Sequence, residues 1–237
     1  MKLSAPIYRL KHLAKSIARH DAIPLHQALD RVAAAEGFTS WSLLAQRANT
    51  SSPAAKLFAQ LAPGDLLLLA ARPKQGKTMF ALELVAQAIN AGNAGAVFTF
   101  DFTQSQLNDR LLLVDDSLNH NREQLILDAS DNISADYIID KLHNIGPAAL
   151  VVIDYLQALD HARSNPELTL QIEALRTFAK RKAITIVCIS QVNRLFESSA
   201  KSFPDHTDVH LPNPLDLGLF TKTCFMSEAG VQIRSLN

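Results

Sequence analysis

Ala71-Arg72-Pro73-Lys74-Gln75-Gly76-Lys77-Thr78 is the stretch from which the rest of the chain can be read. It follows the apolar run Leu66–Ala70 directly and opens onto Thr78–Asn90, which has the apolar spacing of a helix. Strand, loop and helix in that order are the setting in which Gly-Lys-Thr marks a phosphate-binding loop. Backbone N–H groups of such a loop surround a β-phosphate, helped by the positive end of the helix dipole. Gly76 lets the backbone approach closely because it carries no Cβ. Lys77 is expected to bridge β- and γ-phosphate oxygens, and Thr78 to offer its hydroxyl to Mg²⁺. The expected nucleotide contacts are therefore Ala71, Arg72, Pro73, Lys74, Gln75, Gly76, Lys77 and Thr78, with ATP as the nucleotide. Ala71 stands where the pattern usually begins with glycine, a position that shapes the turn more than it touches phosphate.

Outward from the loop the chain alternates short apolar strands with helices, the pattern of a parallel sheet with crossover connections. Leu66–Ala70, Ala96–Asp101, Leu150–Asp154 and Ile184–Ile189 are the expected strands, with two more near Thr221–Met226 and Val231–Leu236. Thr78–Asn90, Ser105–Asp115, Ala135–Asn144 and Glu167–Arg181 are the expected helices. Leu150-Val151-Val152-Ile153-Asp154 ends in a carboxylate, and open parallel sheets bind ligands beyond the C-terminal ends of their strands. Asp154 is therefore the expected metal partner of Thr78.

Toward the N-terminus the pattern is purely helical. Leu10, Leu13 and Ile17 share one helical face, Asp21-Ala22-Ile23-Pro24 interrupts it, and Leu25–Glu36 forms a second helix ended by Gly37. Thr39 or Ser40 is placed to cap a third helix holding Trp41, Leu43 and Leu44. Trp41 and Phe38 are expected in the core of this small unit. The division expected is a helical module over 1–50, a linker over 51–60, and an α/β domain over 61–237.

Composition excludes several classes. Apolar residues make up 48% and charged residues 19% of 237, the balance of a folded globular chain. No apolar run approaches the roughly 20 residues of a membrane helix, and no apolar segment stands behind Met1-Lys2-Leu3-Ser4, so a cytoplasmic location is expected. Cys188 and Cys224 sit in apolar surroundings as reduced core residues. His206 and His210 lack the carboxylate or cysteine company of a metal site, and Ser190 lacks the partners of a hydrolase. Residues 1–50 carry seven Lys/Arg against three Asp/Glu, enough for a nucleic-acid contact or for ordinary solvated helix faces.

Four motifs in fixed order resemble the ATPase domain of DnaB-type replicative helicases. They are Pro63-Gly64-Asp65-Leu66 with the phosphate loop, Gln106-Leu107 with Arg110, Ile153-Asp154-Tyr155-Leu156-Gln157, and Ile189-Ser190-Gln191-Val192-Asn193-Arg194. The resemblance covers about Leu61 to Glu197. It implies a RecA-like fold, with a largely parallel sheet flanked by helices and preceded by the all-helical N-terminal module. It implies that Lys77 and Thr78 hold phosphates and metal, that Asp154 holds the metal, and that Gln191 senses the γ-phosphate. Asp101 occupies the place of the family's catalytic Glu, one methylene shorter, and is the implied base for the attacking water.

The chain departs from that family elsewhere. No counterpart to that family's large preceding helical domain is expected, and only Lys222 and Arg234 between Phe220 and Asn237 are offered as an arginine-finger equivalent for a ring of copies. His161, Arg163, Arg194 and Lys201 are a thin basic set for single-stranded DNA. Two functions remain open on sequence alone: a helicase-like ATPase working on DNA, and a nucleotide-dependent module that regulates partner binding with little or no turnover.

Overall fold

The apolar run before the loop forms β1 (Leu66–Ala71), every residue of it fully buried. The computed structural model describes residues 3–236 apart from 6, 116, 117, 119, 120, 132, 161–164 and 212. β1 lies between β5 (Thr185–Gln191) and β6 (Lys222–Ser227), parallel to both. Beyond β5 come β4 (Leu150–Asp154), β2 (Gly95–Thr99) and the edge strand β3 (Leu125–Asp128), all parallel. At the other edge β7 (Gly230–Ser235) runs antiparallel to β6, giving the seven-stranded order β3-β2-β4-β5-β1-β6-β7.

Helices cover both faces, so the central strands have no side that needs polar residues. Leu66, Leu68 and Ala70 pack in one layer that includes residues of α7 (Ala135–Lys141) and α8 (Leu168–Lys182). Leu67 and Leu69 pack in the opposite layer, with α5 (Lys77–Asn90) and α6 (Gln104–Val114). Burying one leucine is worth roughly 1.5–3 kcal/mol, so the four leucines of β1 fix the origin of the phosphate loop firmly. The start of β1 is pinned separately. Asp65 accepts from Ala62 N at 2.7 Å and Thr221 Oγ1 at 2.8 Å, and it pairs with Lys222. Burial works against the Asp65 carboxylate, yet these partners together hold it below its usual range.

At the N-terminus α1 (Ile7–His20), α2 (Leu25–Ala35) and α3 (Trp41–Ser51) enclose their own core of Leu10, Ala14, Ala28, Val32, Ala33 and Leu44. Ser40 caps α3 by accepting from Leu43 N, and Phe38 and Trp41 pack on the core as expected. Gly37 ends α2 with φ +83°, while Phe38 N donates back to Ala33 O at 2.9 Å.

Three readings need correction. Leu13 is 50% exposed, and the buried stripe of α1 runs through Leu10 and Ala14 instead, since four residues make a closer match to the helical turn than three. Residues 51–60, expected as a linker, are not without regular structure. Ser52 caps a further helix, α4 (Pro53–Phe58), with proline at its first turn, and Ala54 and Leu57 are buried in the α5 layer. β3 has no counterpart among the expected strands: Leu125–Asp128 is a four-residue edge strand, half-buried throughout, with too little periodicity to stand out.

Candidate functional site

The C-terminal ends of β1, β2, β4 and β5 lie at one end of the sheet; β1 delivers the expected loop and each of the others one expected residue. After β1 the loop turns through Lys74 (φ +66°) and Gly76 (φ +81°) before α5 begins at Lys77. A side chain added at Gly76 would meet nothing within 4 Å, so glycine is favoured there by the left-handed backbone rather than by space. Thr78 Oγ1 donates to Asp154 Oδ2 at 2.9 Å, joining residues 76 positions apart. Two hard oxygen donors side by side suit Mg²⁺, which takes carboxylate and hydroxyl ligands and keeps several waters.

Asp101 follows β2, whose last residue Thr99 lies opposite Asp154 in the sheet. Asp101 N donates to Thr99 Oγ1 at 3.2 Å. Capping of α6 falls to Thr103 and Gln106, which exchange hydrogen bonds with each other's backbone, so Asp101 has no capping duty. Lys77 stands in the field of both acids. Burial lowers its ammonium below the usual range, Asp154 and Asp101 oppose that, and Arg72 adds to it. Burial pushes Asp154 up to about 6; Thr78 pulls the other way, Asp101 adds to the rise, and Lys77 and Arg110 resist it. Burial also raises Asp101, against Lys77. Lysine between two partly desolvated carboxylates is an arrangement ready for an anion bearing its own metal.

Gln191 ends β5 directly beside Ala71, where the loop leaves β1. The segment after it is tied down at two points. Val192 N donates to Ala71 O at 3.0 Å and His210 N to Gln191 O at 2.7 Å. All members of the expected set, Ala71 to Thr78, Asp101, Asp154 and Gln191, thus lie at one end of the sheet.

Arg72 and Arg110, both singled out in the sequence, make further contacts at the site. Arg72 donates to Glu197 Oε1 at 2.6 Å and to Val192 O at 2.9 Å, bracing the phosphate loop against the segment after Gln191. Arg110 lies 4.0 Å over the Phe102 ring and extends its charge toward Asp154. Its place one turn beyond Gln106 on the same helix face is the available signal. Glu83, two turns into α5, has no such signal.

The basic residues behave less uniformly. Lys201 is held by Asp205 and Asp208, each at 2.9 Å, and Lys222 by Asp65. Arg234 donates to Gln232 at 2.9 Å within β7. His161 and Arg163 lie outside the described residues. Cys188 and Cys224 are free and buried, both thiols pushed up to about 12 by burial. Among the described residues no His, Cys, Asp and Glu group has metal-holding geometry, and no helix is long and apolar enough to cross a membrane.

A phosphate loop after β1, separated from an acid-tipped β4 by one glutamine-tipped strand, makes this a P-loop α/β domain of the RecA-like kind. The chain belongs to the AAA domain family, whose model matches residues 30–195. The replicative DNA helicase DnaB of Pasteurella multocida is 26% identical over 188 residues, covering 65% of this chain and 40% of that protein. The Synechocystis DnaB is 26% identical over 176 residues, 61% of this chain and 20% of that one. The chain therefore matches well under half the length of these relatives. Among solved structures, one isolated ATPase domain superposes with a TM-score of 0.59 at 18% identity, covering 79% of this chain and 81% of that one. The structure of a DnaB-like replicative helicase and its interactions with primase gives the same TM-score and identity, over 92% and 65%.

Proposed function

We propose that this chain binds ATP with Mg²⁺ at the Ala71–Thr78 loop and hydrolyses it, in a helicase-related role on DNA. The observation that carries this reading is the 2.9 Å hydrogen bond between Thr78 and Asp154, which sets a loop hydroxyl and a strand-end carboxylate side by side as magnesium requires. The loop's backbone N–H groups and Lys77 bind the β- and γ-phosphates, and Thr78 and Asp154 would hold the metal. When bound, magnesium supplies neutralisation of charge on the phosphate oxygens. Asp101 orients a water beyond the γ-phosphate and takes its proton. Gln191, beside the loop's origin, contacts the γ-phosphate and passes its presence to the segment that Arg72 braces. Assembly into a ring of copies, contact with single-stranded DNA and a cytoplasmic setting belong to the same reading.

Titration calorimetry of ATP–Mg²⁺ against the full chain, with Lys77→Ala as control, tests the binding step. ATP turnover with and without single-stranded DNA tests the rest. Saturable binding that Lys77→Ala removes, with turnover stimulated by DNA, is the expected result. Absence of ATP uptake would overturn the whole reading.

A second reading is a nucleotide-occupied regulatory module. It is favoured by the shorter acid at Asp101 and by the internal pairing of Lys201 and Lys222, which takes two cations away from any DNA or neighbouring subunit. Tight ATP binding with no turnover would select it.

A further inference from the structure

The cations of the sheet domain and those of the head are disposed in opposite ways. Lys201 is held by Asp205 and Asp208, and Lys222 by Asp65. On α1, by contrast, Arg9, Lys15 and Arg19 have no ion pair among the described residues. The acids of the head are already engaged. Asp21 is taken by His20 at 2.7 Å and by Arg31 at 2.9 Å. Asp30 accepts from Trp41 N and Glu36 from Ser4 N, each at 2.9 Å.

The free cations also lie together. Successive residues of an α-helix turn by about 100°, so His12, Lys15, Ser16 and Arg19 share one face of α1, opposite the buried Leu10 and Ala14. That face looks across a groove of about 740 Å³ to α6, whose wall includes Asp109 and Leu112. Cations three and four apart on a helix stand about 5–6 Å from each other, close to the step between successive phosphates of an extended strand. A charged groove that tracks the backbone, with a surface for bases beside it, is the recurrent form of single-strand binding. Exposed His12 offers a ring on which a base can stack, and Leu112 an apolar floor. Asp109 repels phosphate from the α6 wall and so turns a backbone toward α1. Because α6 flanks the basic face, α1 is not free to enter a duplex major groove as a recognition helix does. A single strand suits the narrower space.

We propose that the groove between α1 and α6 holds the backbone of single-stranded DNA, with Lys15 and Arg19 on successive phosphates. This rests on the DNA role proposed above and gives the strand a place on the head; it needs no bound ATP. α1 lies outside the residues matched by the family model, 30–195, so the contact is additional to any made by loops at the sheet ends.

Fluorescence anisotropy of a short labelled oligo(dT) with the full chain, without nucleotide and at several salt concentrations, tests it. Replacing both cations, Lys15→Ala with Arg19→Ala, should weaken binding about tenfold or more. The slope of log affinity against log salt should fall by about 0.7 for each cation removed, which a purely structural role would not cause. Asp109→Asn removes the opposing charge and should tighten binding. Circular dichroism and ATP–Mg²⁺ calorimetry should be unchanged in the double variant. Affinity and salt slope unmoved by that variant would overturn the inference and leave DNA to the sheet-end loops. No binding by wild type even at low salt would overturn the DNA role as well. Polyglutamate competing as well as unlabelled oligo(dT) would make the groove a face for an acidic protein and overturn the inference too. Should the double variant not fold, Asp109→Asn decides alone, and unchanged affinity overturns it.

Discussion

On the Asp154 side of the phosphate loop, charge answers charge: Lys77 lies in the fields of Asp154 and Asp101, Arg110 adds a second cation, and Thr78 bonds the deeper acid. On the Glu83 side that carboxyl faces a cavity of mixed polar and apolar lining, with no hydrogen-bond or ionic partner for Glu83 among the described residues. The first side comes from residues placed at the ends of strands in one sheet. The second is assembled from the loop, the terminal hairpin and the head, three segments far apart in sequence. Phosphate grip therefore belongs to the sheet domain alone, while whatever the cavity accepts depends on how the head sits. The two sides should fail differently when broken.

The largest effect is expected at Lys77. Lys77→Ala removes two charge-assisted contacts to phosphate, each worth roughly 1.5–3 kcal/mol, so ATP affinity should fall by about 100-fold or more. Calorimetry measures the loss, and far-ultraviolet circular dichroism checks that the fold survives. Affinity within a few-fold of wild type would mean that phosphates are not held on this side.

Next comes Asp101, which separates chemistry from binding. Asp101→Asn should lower turnover by about 100-fold while changing ATP affinity little, because a base acts only on the reacting water. Asp101→Glu restores the longer acid of the DnaB-type pattern and should raise kcat if the missing methylene limits the wild type. A wild type without turnover that Asp101→Glu awakens would show a site complete except for reach.

Glu83 gives a smaller and pH-shaped effect. Its folded pKa of about 7 lies above the ordinary 4.5, so the native state binds more protons between those values and loses stability as pH rises. Below about pH 4.5 both states are protonated and Glu83→Gln should match wild type. Above about pH 7 the variant should be more stable, by about 1 kcal/mol once partial solvent contact is discounted from a ceiling near 3. For a chain of this size that is a rise of about 2–4 °C in Tm. A difference that stays flat across this acid-to-neutral range would mean that Glu83 is solvated in the folded chain.

What the sequence disclosed follows the same divide. β4 was legible to the residue because five buried apolar and acid-tipped positions run without interruption, and the loop because its residue types are dictated by phosphate. β3 was not, since a half-buried edge strand of four residues has no covered face to impose a period. α4 reads as a linker because Asn, Thr, Ser and Pro are turn formers, although Ser52 and Pro53 are equally the start signals of a helix. Glu83 was invisible because its surroundings draw on residues as remote as Tyr8 and Val231. Pattern reveals what local chemistry demands; a cavity between remote segments leaves no local trace.

The smallest expected effect tests whether the two sides communicate. Arg72 is 16% exposed and reaches Glu197, which is 59% exposed, as well as the Val192 carbonyl. An ion pair with one partner so open should have a coupling of about 0.2–1 kcal/mol in a double-mutant cycle of Arg72→Ala and Glu197→Ala, followed by thermal unfolding. Arg72→Ala alone should cost more than Glu197→Ala, because it also strips the Val192 carbonyl of its donor. The informative comparison is the same cycle with ATP–Mg²⁺ present. If Gln191 reports the γ-phosphate through the segment that Arg72 braces, the coupling energy must change when nucleotide binds, since a link that carries information differs between the two states. Coupling that is identical in both conditions would make the pair a static brace with no part in nucleotide sensing.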